Sequence, residues 1–134
     1  MMRYLLDTNT CIKFLNGRSE NIRKNLELKH PHDIFLCSIV KAELYFGSMK
    51  SLYPKRNLEI QKKFVNNFIS LPFDDKSAVV YSQIRTYLEQ SGTPIGPNDL
   101  LIASIALANE LILVTNNTRE FSRIKNLHIE DWER

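Results

Sequence analysis

The feature that most constrains this chain is a set of very short apolar runs, each closed by a polar residue and separated from the next by a helix-length stretch. Tyr4–Leu6 stops at Asp7, Ile34–Cys37 at Ser38, and Leu111–Val114 at Thr115. Runs this short and this apolar read as buried strands. Strands that alternate with helices build a mostly parallel sheet covered on both faces, an α/β fold of three layers. In such sheets ligands bind beyond the carboxyl ends of the strands. The polar residues that close the runs are therefore the first place to look for a site.

The intervening segments carry their own start and stop signals. Thr8 and Asn9 can cap a helix reaching Asn16, with Gly17 as its stop, and Ser19 can cap a second, mostly polar helix that ends before Pro31. Ser38 opens a helix through Gly47. Leu58, Phe64, Val65, Phe68 and Ile69 make a helical stripe over Asn57–Ser70, followed by a short strand at Leu71–Phe73 whose Pro72 suits a sheet edge. Asp74 caps a helix with Ala78, Tyr81, Ile84 and Leu88 on one face, and Gly92 stops it. Beyond the loop Thr93–Pro97, Asn98–Asn109 is apolar on nearly every side and belongs in the middle of the domain. A polar turn and short helix follow Leu111–Val114, and His128–Ile129 adds a last strand.

A length of 134 residues suits one core, so a single domain over 1–134 is expected. No apolar stretch approaches the roughly 20 residues that span a membrane, and the opening MMRYLLDTN has no apolar signal region. The expected setting is the cytoplasm, without membrane contact. Lys and Arg total 18 against 15 Asp and Glu, a net +3 that leans weakly toward polyanions. Cys11 and Cys37 read as small core hydrophobes, and the three His show no zinc spacing.

Three acids stand in or beside apolar segments rather than on polar helix faces: Asp7 after the first strand, Glu43 in the helix after the second, and Asp99 in the first turn of the most apolar helix. Each has a plain structural reading. Asp7 can cap the helix that follows, Asp99 can favour a helix N-terminus, and Glu43 can pair with Lys41 or Lys50. Taken together they fall on one edge of the sheet. Clustered carboxylates repel and need a neutralising partner, and a hard divalent cation with oxygen ligands provides one.

LLDTN at 5–9, KAELYFG at 41–47, IGPNDLLIASIALA at 95–108, LVTNNTREFSRI at 113–124 and the ending LHIEDW at 127–132 resemble PIN-domain proteins. More closely they resemble the VapC toxins of bacterial toxin–antitoxin pairs, the enteric-type group in particular. The resemblance implies a PIN-like three-layer fold and a Mg²⁺- or Mn²⁺-dependent endoribonuclease. It maps Asp7, Glu43 and Asp99 onto the family's central acids, with Asp7 and Asp99 as the main metal ligands and Glu43 completing the site directly or through water. Thr115 matches the family's active-site Thr or Ser. Where many PIN domains carry a further Asp this chain has Asn117, so Glu120 ranks ahead of Asn117 as fourth member. The resemblance also implies inhibition by a VapB antitoxin, a homodimer, contact with operator DNA only through the antitoxin, and tRNA as substrate, with the initiator tRNA anticodon stem-loop as the specific expectation.

RNA phosphates call for cations near the site. Arg119, Arg123 and Lys13 are the expected contacts, with Arg18 close by, whereas Lys50, Lys55, Arg56, Lys62 and Lys63 read as a solvated helix face. Tyr45, Phe46 and Tyr53 could stack bases, but their helical spacing favours core or interface burial. Two other classes compete. A haloacid-dehalogenase-like phosphatase would use Asp7 as nucleophile but wants a second Asp where Asn9 stands, and a non-catalytic PIN-like binding module would leave the acids without a task.

Overall fold

The computed structural model of the protein describes residues 2–134. Five strands form one parallel sheet: β1 (Tyr4–Leu6), β2 (Ile34–Cys37), β3 (Ile69–Leu71), β4 (Ile112–Val114) and β5 (Ile129–Glu130), in the order β3-β2-β1-β4-β5. β1 lies at the centre, with Tyr4 opposite Ile34 on one side and Ile112 on the other. Every residue of β1 and β2 is buried, which is why these runs lack the alternation of a half-exposed strand. Seven helices flank the sheet: α1 (Thr8–Leu15), α2 (Glu20–Leu28), α3 (Ser38–Met49), α4 (Pro54–Val65), α5 (Asp75–Gln90), α6 (Pro97–Ala108) and α7 (Thr118–Phe121).

The chain steps outward from β1 through β2 to β3, then returns past β1 to β4 and β5. Right-handed crossovers place α1–α4 on one face and α5–α7 on the other. Helix packing mostly follows this division, α1 touching α2 and α3, α3 touching α4, and α5 lying along α6, while α3 also meets α6 across it. The reversal of direction falls between β1 and β4. At such a switch point the connections leave in opposite directions and open a crevice at the carboxyl ends of the strands. Asp7 and Thr115 follow those two strands directly.

Several boundaries differ from the sequence expectations, each for a local reason. The helix expected over 57–70 runs over 54–65, opened by Pro54 in its first turn and closed by Asn67, whose Nδ2 donates to the carbonyls of Lys63 and Phe64 at 3.2 Å each. Ile69 consequently belongs to β3, two residues ahead of the strand expected at 71–73. β3 is an edge strand, as Pro72 suggested. The cap of α1 is Asp7 itself rather than Thr8 or Asn9, its Oδ1 accepting from the Thr10 amide at 2.9 Å. β4 starts at Ile112 because the Leu111 amide still donates back to Ala106 at 2.9 Å, across a left-handed Glu110 with φ 55°. Gly92, with φ 68°, makes the equivalent stop for α5. Pro31–Asp33 form a 3₁₀ turn between α2 and β2.

Among the described residues no helix is long and apolar enough to cross a membrane. Cys11 and Cys37 are buried, as expected of core residues, and burial raises the pKa of both thiols. The short α7 is anchored by Phe121, which is fully buried and is followed in the core by Ile124 and Trp132. Phe121→Ala is expected to cost about 3–5 kcal/mol, read from the midpoint of a urea melt. Because α7 also carries Glu120, the same variant should loosen the crevice.

Candidate active site

Each acid reaches the crevice from a different element, and each is placed by the local logic of that element. Asp7 sits at the turn from β1 into α1. Its amide donates to the Val114 carbonyl at 3.0 Å, extending the β1–β4 pairing by one residue, and Thr10 Oγ1 donates to the same carbonyl at 3.2 Å. The Asp7 carboxylate is thereby held at the seam of the two strands, only 6% exposed, with the Thr115 hydroxyl beside it. Glu43 lies one turn into α3. Its Oε1 accepts from the Thr8 hydroxyl, and its Oε2 accepts from Asn98 Nδ2 at 3.3 Å. Asp99 stands in the first turn of α6, where the helix dipole favours an acid. Glu120 on α7 accepts at Oε2 from Asn117 Nδ2 at 2.9 Å, and the Asn117 amide donates to Thr115 Oγ1 at 3.0 Å.

The electrostatics tie the four acids into one group. Burial pushes the Asp99 carboxyl up to about 6, and the charges of Glu120, Asp7 and Glu43 push it in the same direction. Burial also raises Asp7, with a smaller contribution from Glu43, against the opposing donors of Thr115 and Thr10. Among the described residues no Lys, Arg or His forms an ion pair with Asp7, Glu43, Asp99 or Glu120. The group therefore carries negative charge that its own fold does not neutralise. Nor do any three His, Cys, Asp or Glu side chains among the described residues close on a single ion-sized point. The acids gather at the carboxyl edge of the sheet without closing into a finished cage.

The structure thus brings Asp7, Glu43, Asp99, Glu120, Thr115 and Asn117 to one edge. The capping role of Asp7 and its place in the crevice coexist, since Oδ1 serves the Thr10 amide. Glu43 does not pair with Lys41 or Lys50. The cations divide differently from expectation. Lys13 Nζ is engaged at 2.7 Å by Glu133, so it points to the C-terminal segment. Arg123 Nη1 donates to the Pro94 carbonyl at 3.2 Å and fastens the loop before α6. Arg119 and Arg18 are exposed, and among the described residues neither forms a side-chain ion pair. Lys50, Lys55, Arg56, Lys62 and Lys63 are solvated, as expected. Phe46 and Tyr53 are exposed rather than in the core, at 64% and 59%, while Tyr45 is half-buried. Sequence reasoning missed Thr8, Thr10 and Asn98 as positioning residues. Thr8 and Asn98 adjoin Asp7 and Asp99 in sequence, and that adjacency was the available signal.

A five-stranded parallel sheet with this order and an acid-lined crevice at its switch point is the architecture of the PIN domain, whose family model matches residues 4–127. The chain belongs to the PIN-domain family. It is 42% identical over 132 residues to the tRNA(fMet)-specific endonuclease VapC of Salmonella typhimurium, covering 98% of this chain and 99% of that protein. Ribonuclease VapC2 of Rickettsia felis is 42% identical over 134 residues, covering 99% of this chain and all of that one. The crystal structure of DNA-bound VapBC from Salmonella typhimurium superposes with a TM-score of 0.92 at 42% identity, over 98% of this chain and 99% of that chain. Within the family, then, this is a VapC-type ribonuclease, and neither the phosphatase reading nor the non-catalytic one is favoured by its fold or its relatives.

Proposed function

We propose that the protein is the toxin of a VapBC toxin–antitoxin pair, a divalent-cation-dependent endoribonuclease that cuts tRNA. The initiator tRNA anticodon stem-loop is its preferred target. The observation that carries the metal dependence is the group of four carboxylates that meet no basic partner among the described residues, one of them raised to about 6. A set of carboxylate, hydroxyl and amide oxygens suits hard cations such as Mg²⁺ or Mn²⁺ and offers nothing to soft ones. The tRNA preference rests on the similarity to the tRNA(fMet)-specific endonuclease VapC of Salmonella typhimurium.

In this reading Asp7 and Asp99 hold the ion, and Glu43 completes the site directly or through water. A bound divalent ion supplies the positive charge that stabilises a phosphoryl transition state and activates the attacking water. The chain's own groups do the placing. Thr8 and Asn98 occupy one lone pair on each Glu43 oxygen and fix its rotamer. The Thr115 hydroxyl sits beside Asp7 and receives the Asn117 amide, so it orders the turn after β4. Glu120 is the fourth carboxylate, and Asn117 steers it through their 2.9 Å hydrogen bond. Arg119, exposed next to Glu120, is the cation placed to meet an RNA phosphate. Lys13 and Arg123 would have to leave their present partners to do so.

The same uncompensated acids suit a basic side chain from VapB, which would occupy the crevice in place of the ion and the RNA. A homodimer, and contact with operator DNA through the antitoxin, belong to the same proposal.

The assignment of the fourth member is tested by comparing Glu120→Gln with Asn117→Ala. Glu120→Gln should lower cleavage about tenfold or more, Asn117→Ala less, and the double variant no more than Glu120→Gln alone. The reverse order would give the fourth position to Asn117. The function itself is tested with bulk tRNA incubated in Mg²⁺, in Mn²⁺ and in EDTA. Cuts at defined positions that vanish in EDTA are expected, and metal-indifferent cutting would overturn the proposal.

A further inference from the structure

A cleft of about 240 Å³ opens between α5, the loop Thr93–Gly96 and the start of α6, the helix that carries Asp99. Its floor includes buried Leu100, its walls are Tyr81, Ile95 and Pro94, and its rim carries Arg85 and Glu89. The Arg85 guanidinium lies 5.9 Å from the centroid of the Tyr81 ring, donates to Tyr81 Oη at 2.9 Å and meets Glu89 Oε2 at 2.7 Å. Phe73 braces the same ring edge-on, with centroids 5.9 Å apart. The cleft thus combines a braced aromatic ring and apolar surface with one donor and one acceptor at the solvent edge. It is smaller than the roughly 300–1,000 Å³ of pockets for drug-sized ligands.

The loop joins this cleft to the acids. Pro94 and Ile95 line the cleft, while Gly96 beside them faces Asp99, a Cβ there falling 3.8 Å from Asp99 Oδ2. Arg123, from the segment after α7 and three residues beyond Glu120, ties the same loop through the Pro94 carbonyl. Gly96 itself puts no side chain between the cleft and Asp99.

We propose that this cleft is a nucleobase subsite, which takes one unpaired base flanking the phosphate held at the acids. The base lies against Tyr81 and Ile95 and turns its polar edge to Arg85 and Glu89. Unpaired bases are recognised by this combination of an aromatic face with hydrogen-bonding groups at the edge. Arg123 acts as a positioning residue by holding the loop rather than by touching a phosphate. The proposal rests on the ribonuclease reading and adds to it a source of sequence preference.

The test uses a synthetic tRNA(fMet) anticodon stem-loop, intact and with single abasic substitutions on either side of the cut. In the wild type, one abasic substitution should raise KM about tenfold, with kcat little changed. In Tyr81→Leu and in Arg85→Ala the intact RNA should show that rise already, and the abasic substitution should add little. Tyr81→Phe, which keeps the ring, should restore most of the affinity. The same pattern is expected in Kd, measured by fluorescence anisotropy in an Asp99→Asn background and in EDTA, so that RNA is not consumed during the measurement. An abasic penalty as large in the variants as in the wild type would overturn the proposal, as would the absence of any penalty. A change only in the oligomeric mass of Tyr81→Leu would do so too, because a second copy would then cover the cleft. Absent cleavage with an intact abasic pattern in Kd would sink the ribonuclease reading and leave the subsite standing.

Discussion

Asp99→Asn should lower tRNA cleavage by on the order of 10²–10³-fold while making the folded chain more stable at neutral pH. The two effects share one cause. Burial and the charges of Glu120, Asp7 and Glu43 raise the Asp99 carboxyl from 3.8 to about 6, so the folded state binds its proton more tightly than the unfolded state does. A carboxylate raised on folding makes stability fall as pH climbs from about 4 to about 6, and the loss is complete above the folded pKa. The shift of about two units corresponds to at most about 3 kcal/mol. Partial solvation of Asp99 brings the expected gain in Asp99→Asn nearer 1–2 kcal/mol. Urea melts of both proteins at about pH 4 and about pH 7.5 would read it. The wild type should lose stability between these values and recover it on adding Mg²⁺ or Mn²⁺, whereas the variant should do less of both. Cleavage at limiting metal should rise with pH through about 6, as Asp99 loses its proton to solvent and its carboxylate becomes free to take the cation. Full activity in Asp99→Asn would remove Asp99 from the proposed metal site.

Asp7→Asn should abolish cleavage to the same degree with little change in melting temperature. Asp7 has two tasks, since its carboxylate caps α1 through the Thr10 amide and also faces the crevice. Asn is as good an N-cap as Asp, so this variant keeps the first task and loses the charge the second requires. Asp7→Ala loses both, and the missing cap alone costs about 1 kcal/mol, offset in part by relief of a buried charge. The informative comparison is therefore the cation-induced rise in melting temperature. It should be present in the wild type and lost in Asp7→Asn and Asp7→Ala alike, whatever their stability in EDTA. An undiminished rise in Asp7→Asn would leave Asp7 with capping alone.

Much of this architecture could be read from local signals. The β1, β2 and β4 runs are too short and too apolar for anything but buried strands. Asp74 and Gly92 bracket α5 because a side-chain oxygen at one end and a left-handed residue at the other satisfy groups the helix leaves open. The expectation failed at 57–70, where a helical stripe ran on into a strand. Phe68 and Ile69 continue the helical spacing, and only the side chain of Asn67, turned back onto the carbonyls of Lys63 and Phe64, shows that the helix has ended.

The candidate site was legible as types of residue but not as an arrangement. Position in the chain places Asp7, Glu43 and Asp99 at strand ends or helix starts, because a parallel sheet directs every such junction to one edge. Which hydrogen bonds hold them depends on contacts between residues far apart in sequence. Glu43 is steadied by Thr8 and Asn98, and Lys13 is held by Glu133 in the C-terminal segment. Arg123 is spent on the Pro94 carbonyl. Local sequence signals alone determined β1, β2 and β4, the family and the acids, but not the start of β3. The tertiary structure decided which cations are free, which donors orient the acids and how far burial raises Asp99. Those properties follow from distances across the fold and from the water it excludes, and neither exists until the chain has folded.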